Sequence, residues 1–91
     1  MVDMNTILAH NEECPVRAIG KGLVIVNPDD NETHSIEDIG AFIWEHIDGR
    51  NDLGSILDHI LLEYEVAEAT AAEDLQSFIS QLMEAGLVLP V

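Results

Sequence analysis

The pattern of apolar and polar positions divides this chain into a stretch of period two followed by a stretch of period 3.6. Residues 1–13 fit neither period, and Ile7-Leu8 is their one bulky apolar pair. They read as a mobile or loosely docked arm ahead of a single domain over residues 14–91. Pro15 biases Cys14 toward extended backbone. Val16-Arg17-Ala18-Ile19 alternates weakly, as a half-buried strand does. Gly20-Lys21-Gly22 is a turn, and Leu23-Val24-Ile25-Val26 is the clearest strand, rich in β-branched residues. Asn27-Pro28-Asp29-Asp30-Asn31 is a dense turn cluster, after which Glu32-Thr33-His34-Ser35 fits a short third strand. Two tight connections make these an antiparallel meander.

From Ile36 the period changes. Ile36, Ile39, Gly40, Ile43 and Ile47 fall on one helical stripe, widened by Phe42 and Trp44. Ser35 is the expected N-cap, with Asp38 imitating the acid of a capping box, and Asp48-Gly49 is the expected αL stop. Asp52 caps the next helix, whose face is Leu53, Ile56, Leu57, Ile60, Leu61 and Tyr64. Glu65 to Ala69 reads as a loop, and Thr70-Ala71-Ala72-Glu73 as a capping box for a third helix. Leu75, Phe78, Ile79, Leu82 and Met83 form its stripe. Gly86 sits at C′ with Leu87 packing back, and Leu87 to Leu89 reads as a short extended tail. The fold class is α+β: a three-stranded antiparallel sheet followed by three helices.

Charge changes the picture most. Three basic residues, Arg17, Lys21 and Arg50, face 18 acidic ones, for a net charge of -15. Such a surface repels phosphates, so nucleic-acid binding and docking on anionic membranes are both disfavoured. Hydrophobic content of 47% argues against disorder. No apolar run reaches the roughly 18 residues of a membrane span, and no secretory pattern is present, so a cytoplasmic protein is expected. The lone Cys14 permits no intrachain disulfide and reads as a small buried residue.

Catalytic patterns are missing. There is no Gly-rich phosphate loop, no Cys-x-x-Cys and no Gly-x-Ser-x-Gly. His10, His34, His46 and His59 never share a helix face at i,i+4, so neither a metal site nor a cofactor is expected. The reading is a protein that is not an enzyme. A small acidic carrier protein is a weak competitor: Ser55 lies near a helix start, but within Gly54-Ser55-Ile56 instead of the Asp-Ser-Leu of acyl carriers.

Three segments, in order and spacing together, resemble a known family. Ile39-Gly40-Ala41-Phe42-Ile43-Trp44-Glu45-His46-Ile47-Asp48-Gly49 looks like the signature helix of PqqD-type domains. Ile56 to Glu65 resembles their middle helix with its closing Tyr, and Asp74 to Val88 their last helix with its Gly-Leu-Val stop. The resemblance covers about Pro15 to Val88. Two departures touch caps: Ile36-Glu37 stands where Leu-Asn is frequent, and Asp52-x-x-Ser55 where Thr-x-x-Glu is usual. The resemblance implies a RiPP recognition element with a winged helix-turn-helix-like fold. Such domains bind the leader segment of a ribosomally made precursor peptide and present its core segment to a modifying enzyme. In the PQQ pathway that enzyme is a radical SAM protein, and other members serve different maturases, cyclases or leader peptidases.

The residues offer a physical route to that role. A short polar third strand should be a sheet edge, able to pair with an extended peptide. Glu32, Thr33, His34, Ser35 and Ile36 are the expected edge contacts. The last helix should supply the groove wall through Ala72, Leu75, Gln76, Ile79 and Met83, with Ala71 and Phe78 as the alternative shoulder. The rival expectation is a winged-helix-like interaction module or homodimer without peptide cargo.

Overall fold

The computed structural model describes residues 2–29 and 31–91. The element order is β1 (Leu8–His10), β2 (Val16–Ile19), β3 (Gly22–Asn27), β4 (Glu32–Ile36), α1 (Ile39–His46), α2 (Leu53–Glu63), α3 (Glu68–Glu84) and β5 (Val88–Pro90). This is the expected α+β fold with its antiparallel sheet in the order β2-β3-β4. A second small sheet, β1-β5, was not expected. Met1 of the arm and Asp30 of the turn cluster lie outside the described residues.

The β2–β3 hairpin closes through Gly20 and Lys21, with Gly20 at φ 60. The Val26 N–H donates to the Pro15 carbonyl at 3.1 Å, which fixes the phase of the ladder. Antiparallel pairs alternate between bonded and non-bonded. Arg17–Val24 and Ile19–Gly22 are therefore bonded pairs, and the groups of Leu23, Ile25 and Asn27 turn the other way, to β4. The inner face of the sheet carries Ile25 and Ile36, both buried in the core.

The sheet-to-helix corner departs from the expected cap. Ile36 pairs with Leu23 and is buried, so the chain completes β4 before it turns. α1 consequently starts at Ile39, and its N-cap is Asp38 at φ 54, with no side-chain hydrogen bond; Ser35 lies in the strand. Gly22 lets this corner close, because a Cβ there would lie 2.7 Å from the Ile36 carbonyl oxygen. At the other end α1 stops at Ile47. Gly49 does take positive φ, 81, but its N–H binds the Leu8 carbonyl at 2.9 Å instead of capping the helix.

Leu8 explains the second correction. It is 1% exposed and lies in β1, which pairs Leu8–Pro90, Ala9–Leu89 and His10–Val88. The segment expected as a loose arm is thus zipped to the tail. His10 stacks on Trp44, ring centroids 3.8 Å apart, with its Nε2 2.7 Å from the Trp44 carbonyl oxygen. Trp44 itself is a core residue.

The helices follow their stripes. Asp52 caps α2, accepting from the Ser55 N–H at 2.8 Å. α3 begins at Glu68 with Ala67 as N-cap, so Thr70 stands inside the first turn and the expected capping box does not form. Its C-terminus is a full Schellman motif: Leu87 N–H to the Leu82 carbonyl, Gly86 N–H to the Met83 carbonyl, and Gly86 at φ 73. Asn27, buried at the end of β3, donates to the Ala85 carbonyl at 2.6 Å and ties the large sheet to this turn. Truncating a side chain as buried as Ile79 or Leu75 in this core costs about 2–5 kcal/mol.

Candidate functional site

Ladder phase decides what β4 offers. Glu32, His34 and Ile36 face their bonded partners Asn27, Ile25 and Leu23. The backbone groups of Thr33 and Ser35 therefore point away from β3, at the free edge of the sheet. Among the described residues no strand covers this edge. The side chains alternate as well. Thr33 and Ser35 are exposed on the outer face, whereas His34 turns inward beside Ile25, and its Nε2 is buried with no hydrogen-bond partner among the described residues.

The expected contacts on α3 separate into three environments. Leu75 and Ile79 belong to the core, at 1% and 0% exposure. Ala72 and Met83 are half-buried against that core. Gln76 grips the chain's first residues: its Oε1 accepts from the Val2 N–H at 2.9 Å, and its Nε2 donates to the Val2 carbonyl at 2.7 Å. The Gln76 amide thus imitates a strand neighbour for Val2. Nothing in the apolar period signals this, because the partner lies at the opposite end of the chain.

The opposite shoulder opens on a pocket of about 220 Å³, lined by Ile39, Gly40 and Ile43 of α1, Ile60 of α2, and Ala71 and Phe78 of α3, among others. The pocket is overwhelmingly apolar, with Thr70 and Asp74 supplying polar groups. Gly40 forms its notch. A Cβ at Gly40 would lie 2.8 Å from Ile36 Cγ2 and 3.3 Å from Phe78 Cζ. The same close approach places Phe78 and the pocket beside the end of β4. Of the two shoulders, Phe78 lies across Gly40 from Ile36, the last residue of β4, and Gln76 is held by the N-terminal segment.

Other polar clusters are committed to structure. His46 and His59 rings lie 4.7 Å apart, but His46 Nδ1 is 2.8 Å from the Phe42 carbonyl oxygen. Among the described residues no group of three His, Cys, Asp or Glu side chains could hold a metal ion. Asp48 is held below its ordinary value of 3.8, chiefly by the Asn51 backbone N–H and then that of Arg50, both donating at 2.9 Å. This turn links α1 to α2. Among the described residues no helix is long and apolar enough to cross a membrane.

Residues 22–88, from the start of β3 to the start of β5, match the family described as Coenzyme PQQ synthesis protein D (PqqD). The chain belongs to the PqqD family. Two solved structures share the fold of this PqqD-family domain. One is "TbiB1 in Complex with the TbiA(beta) Leader Peptide", with 21% identity and a TM-score of 0.80, covering 88% of this chain and 93% of that one. The other is "Lasso peptide synthetase B1 complexed with the leader peptide", with 23% identity and a TM-score of 0.80, covering 91% of this chain and 98% of that one. No curated protein matches the chain significantly.

Proposed function

We propose that this PqqD-family domain is a non-catalytic adaptor. It binds the leader segment of a ribosomally synthesised precursor peptide and presents that peptide to a modifying enzyme, such as a radical SAM maturase, in the cytoplasm. The observation that carries the reading is an unpaired strand edge, at Thr33 and Ser35, that ends beside an apolar pocket. An extended peptide pairs with the edge through its main chain, and a bulky apolar side chain fills the pocket next to Phe78. Main-chain pairing tolerates varied sequences, and the pocket supplies selection. Both solved relatives in fold are described in complex with leader peptides, which supports the same ligand class.

The test follows from the ladder. Thr33→Pro removes an edge N–H that β3 does not use, so the fold survives while peptide pairing is blocked. His34→Pro is unsuited, since its N–H faces Ile25 and its loss would break the sheet itself. In a titration with a precursor leader peptide that binds the native domain, Thr33→Pro should weaken binding at least about tenfold, or 1.4 kcal/mol. Unchanged affinity in a folded variant would sink strand addition. In the native protein, amide shifts should move at Thr33, Ser35, Gly40 and Phe78. A response confined to Gln76 and Met83 would transfer the groove to the other shoulder of α3. The rival, a module or homodimer without cargo, requires that no precursor leader shift any amide.

A further inference from the structure

The sheet has a second edge, and its chemistry is opposite to that of the first. β2 carries it. By the same alternation, the backbone groups of Val16 and Ala18 point away from β3, and among the described residues no strand covers them. All four β2 residues are exposed, including Val16 at 46% and Ile19 at 58%. Beside this edge the outer face of the sheet is a shallow, largely apolar trough formed by Pro15, Ile19, Val24 and Val26, with Arg17 within it and Thr33 of β4 at its far side. From Val16 to Asn27 the chain holds Arg17 and Lys21 and no carboxylate, in a protein of net charge -15. Among the described residues neither cation has a carboxylate partner. The β4 edge is instead bounded by Glu32, Glu37 and Asp38, all exposed.

We propose that the β2 edge and the trough beside it form a second strand-addition site, for an extended acidic and apolar segment of a partner protein. That partner is the enzyme receiving the cargo. Its naming rests on the adaptor reading; the chemistry of the site does not. A carboxylate beside Arg17 and another near Lys21 would find the only cations of the sheet. The next side chain on that same outer face, two residues along the segment, is apolar and packs on Ile19 at the rim of the trough. The acids around β4 repel the same segment, so each edge takes a different strand. The sheet then grows on both sides and carries cargo and enzyme together.

The isotope-labelled protein is titrated with a blocked peptide Val-Thr-Glu-Thr-Val-Thr-Glu, whose Val and Glu side chains share one face when extended, and separately with the same peptide carrying Lys for Glu. The acidic probe should shift amides from Val16 to Gly22 and leave Ser35 still. Arg17→Glu with Lys21→Glu should weaken it at least about tenfold, and Ala18→Pro, which removes an edge N–H unused by β3, should do the same. Equal affinity in either folded variant, or equal response to the lysine probe at β2, overturns the proposal. The leader peptide is then added to the complex. Shifts at Thr33 and Ser35 without loss of the acidic probe support two separate edges. A leader that displaces the probe from β2 overturns the assignment of that edge to the enzyme. A leader that shifts nothing overturns the adaptor reading and leaves the β2 site standing.

Discussion

The two shoulders of α3 begin with similar side chains and end in different states. On one, Ala72, Gln76 and Met83 lie half-buried, and the Gln76 amide holds both backbone groups of Val2, with Met4 packed against the same core. On the other, Ala71 and Phe78 face Gly40 across an apolar pocket. An apolar stripe reports how wide a helix face is, not which flank the rest of the chain has already covered. Coverage here is decided by a contact between residues 2 and 76. On the other flank Ala71 is buried, and Phe78 stays half-buried at the pocket.

Three experiments press on that difference. The largest effect is expected from Gly40→Ala. The added methyl would meet Ile36 Cγ2 at 2.8 Å and the Phe78 ring at 3.3 Å. Ile36 is buried and branched at Cβ, so it has little room to yield. Helix propensity favours Ala by at most about 1 kcal/mol, and less in a first turn. Overpacking of this kind costs about 1–3 kcal/mol, and it narrows the pocket mouth. Thermal melting should show a lower Tm together with weaker leader binding; a raised Tm would mean that the notch is slack.

Gln76→Ala acts on the covered shoulder. It removes two hydrogen bonds to Val2, each worth about 0.5–1.5 kcal/mol, partly recovered through water. Hydrogen exchange at Val2 should accelerate while leader affinity stays near native. A matching loss of affinity would show that both shoulders serve the ligand. The smallest effect belongs to Asp48, which touches neither shoulder. Its carboxyl is depressed, so whatever it contributes is present above the ordinary carboxylate range and is lost as pH falls through its lowered value. Amide shifts of Arg50 and Asn51 should titrate below pH 3.8, with Phe78 and Gln76 unmoved by that step. Coupled movement would tie the turn to α3.

Much of the fold was legible because its signals are local. The hairpin at Gly20-Lys21, the Asp52 cap and the Gly86 stop are each settled within a few residues. The edge character of β4 was legible for the same reason. The failures share a different cause. Leu8–His10 has no period because its partner is Val88–Pro90. Ile36 fits a helical stripe, yet its pairing with Leu23 claims it for the sheet. Thr70 and Glu73 spell a capping box, but α3 starts a turn earlier without a side-chain cap. Asn27 looked like one turn residue among several, and its bond to Ala85 is the joint between the large sheet and α3. In the candidate site, Thr33 and Ser35 were named alongside His34, and only ladder phase separates the outward pair from the inward one.

The pairing of β1 with β5 also sets an order of events. The hairpins of the large sheet join neighbours in sequence and close short loops. Leu8 meets Pro90 only after nearly the whole chain lies between them, and the entropy of so long a loop must be overcome before that contact rewards it. During synthesis the buried place of Leu8 stays open until the last strand has left the ribosome. The sheet that bears both free edges can therefore assemble first, and the small sheet fastens the two ends of the chain once the helices are in place.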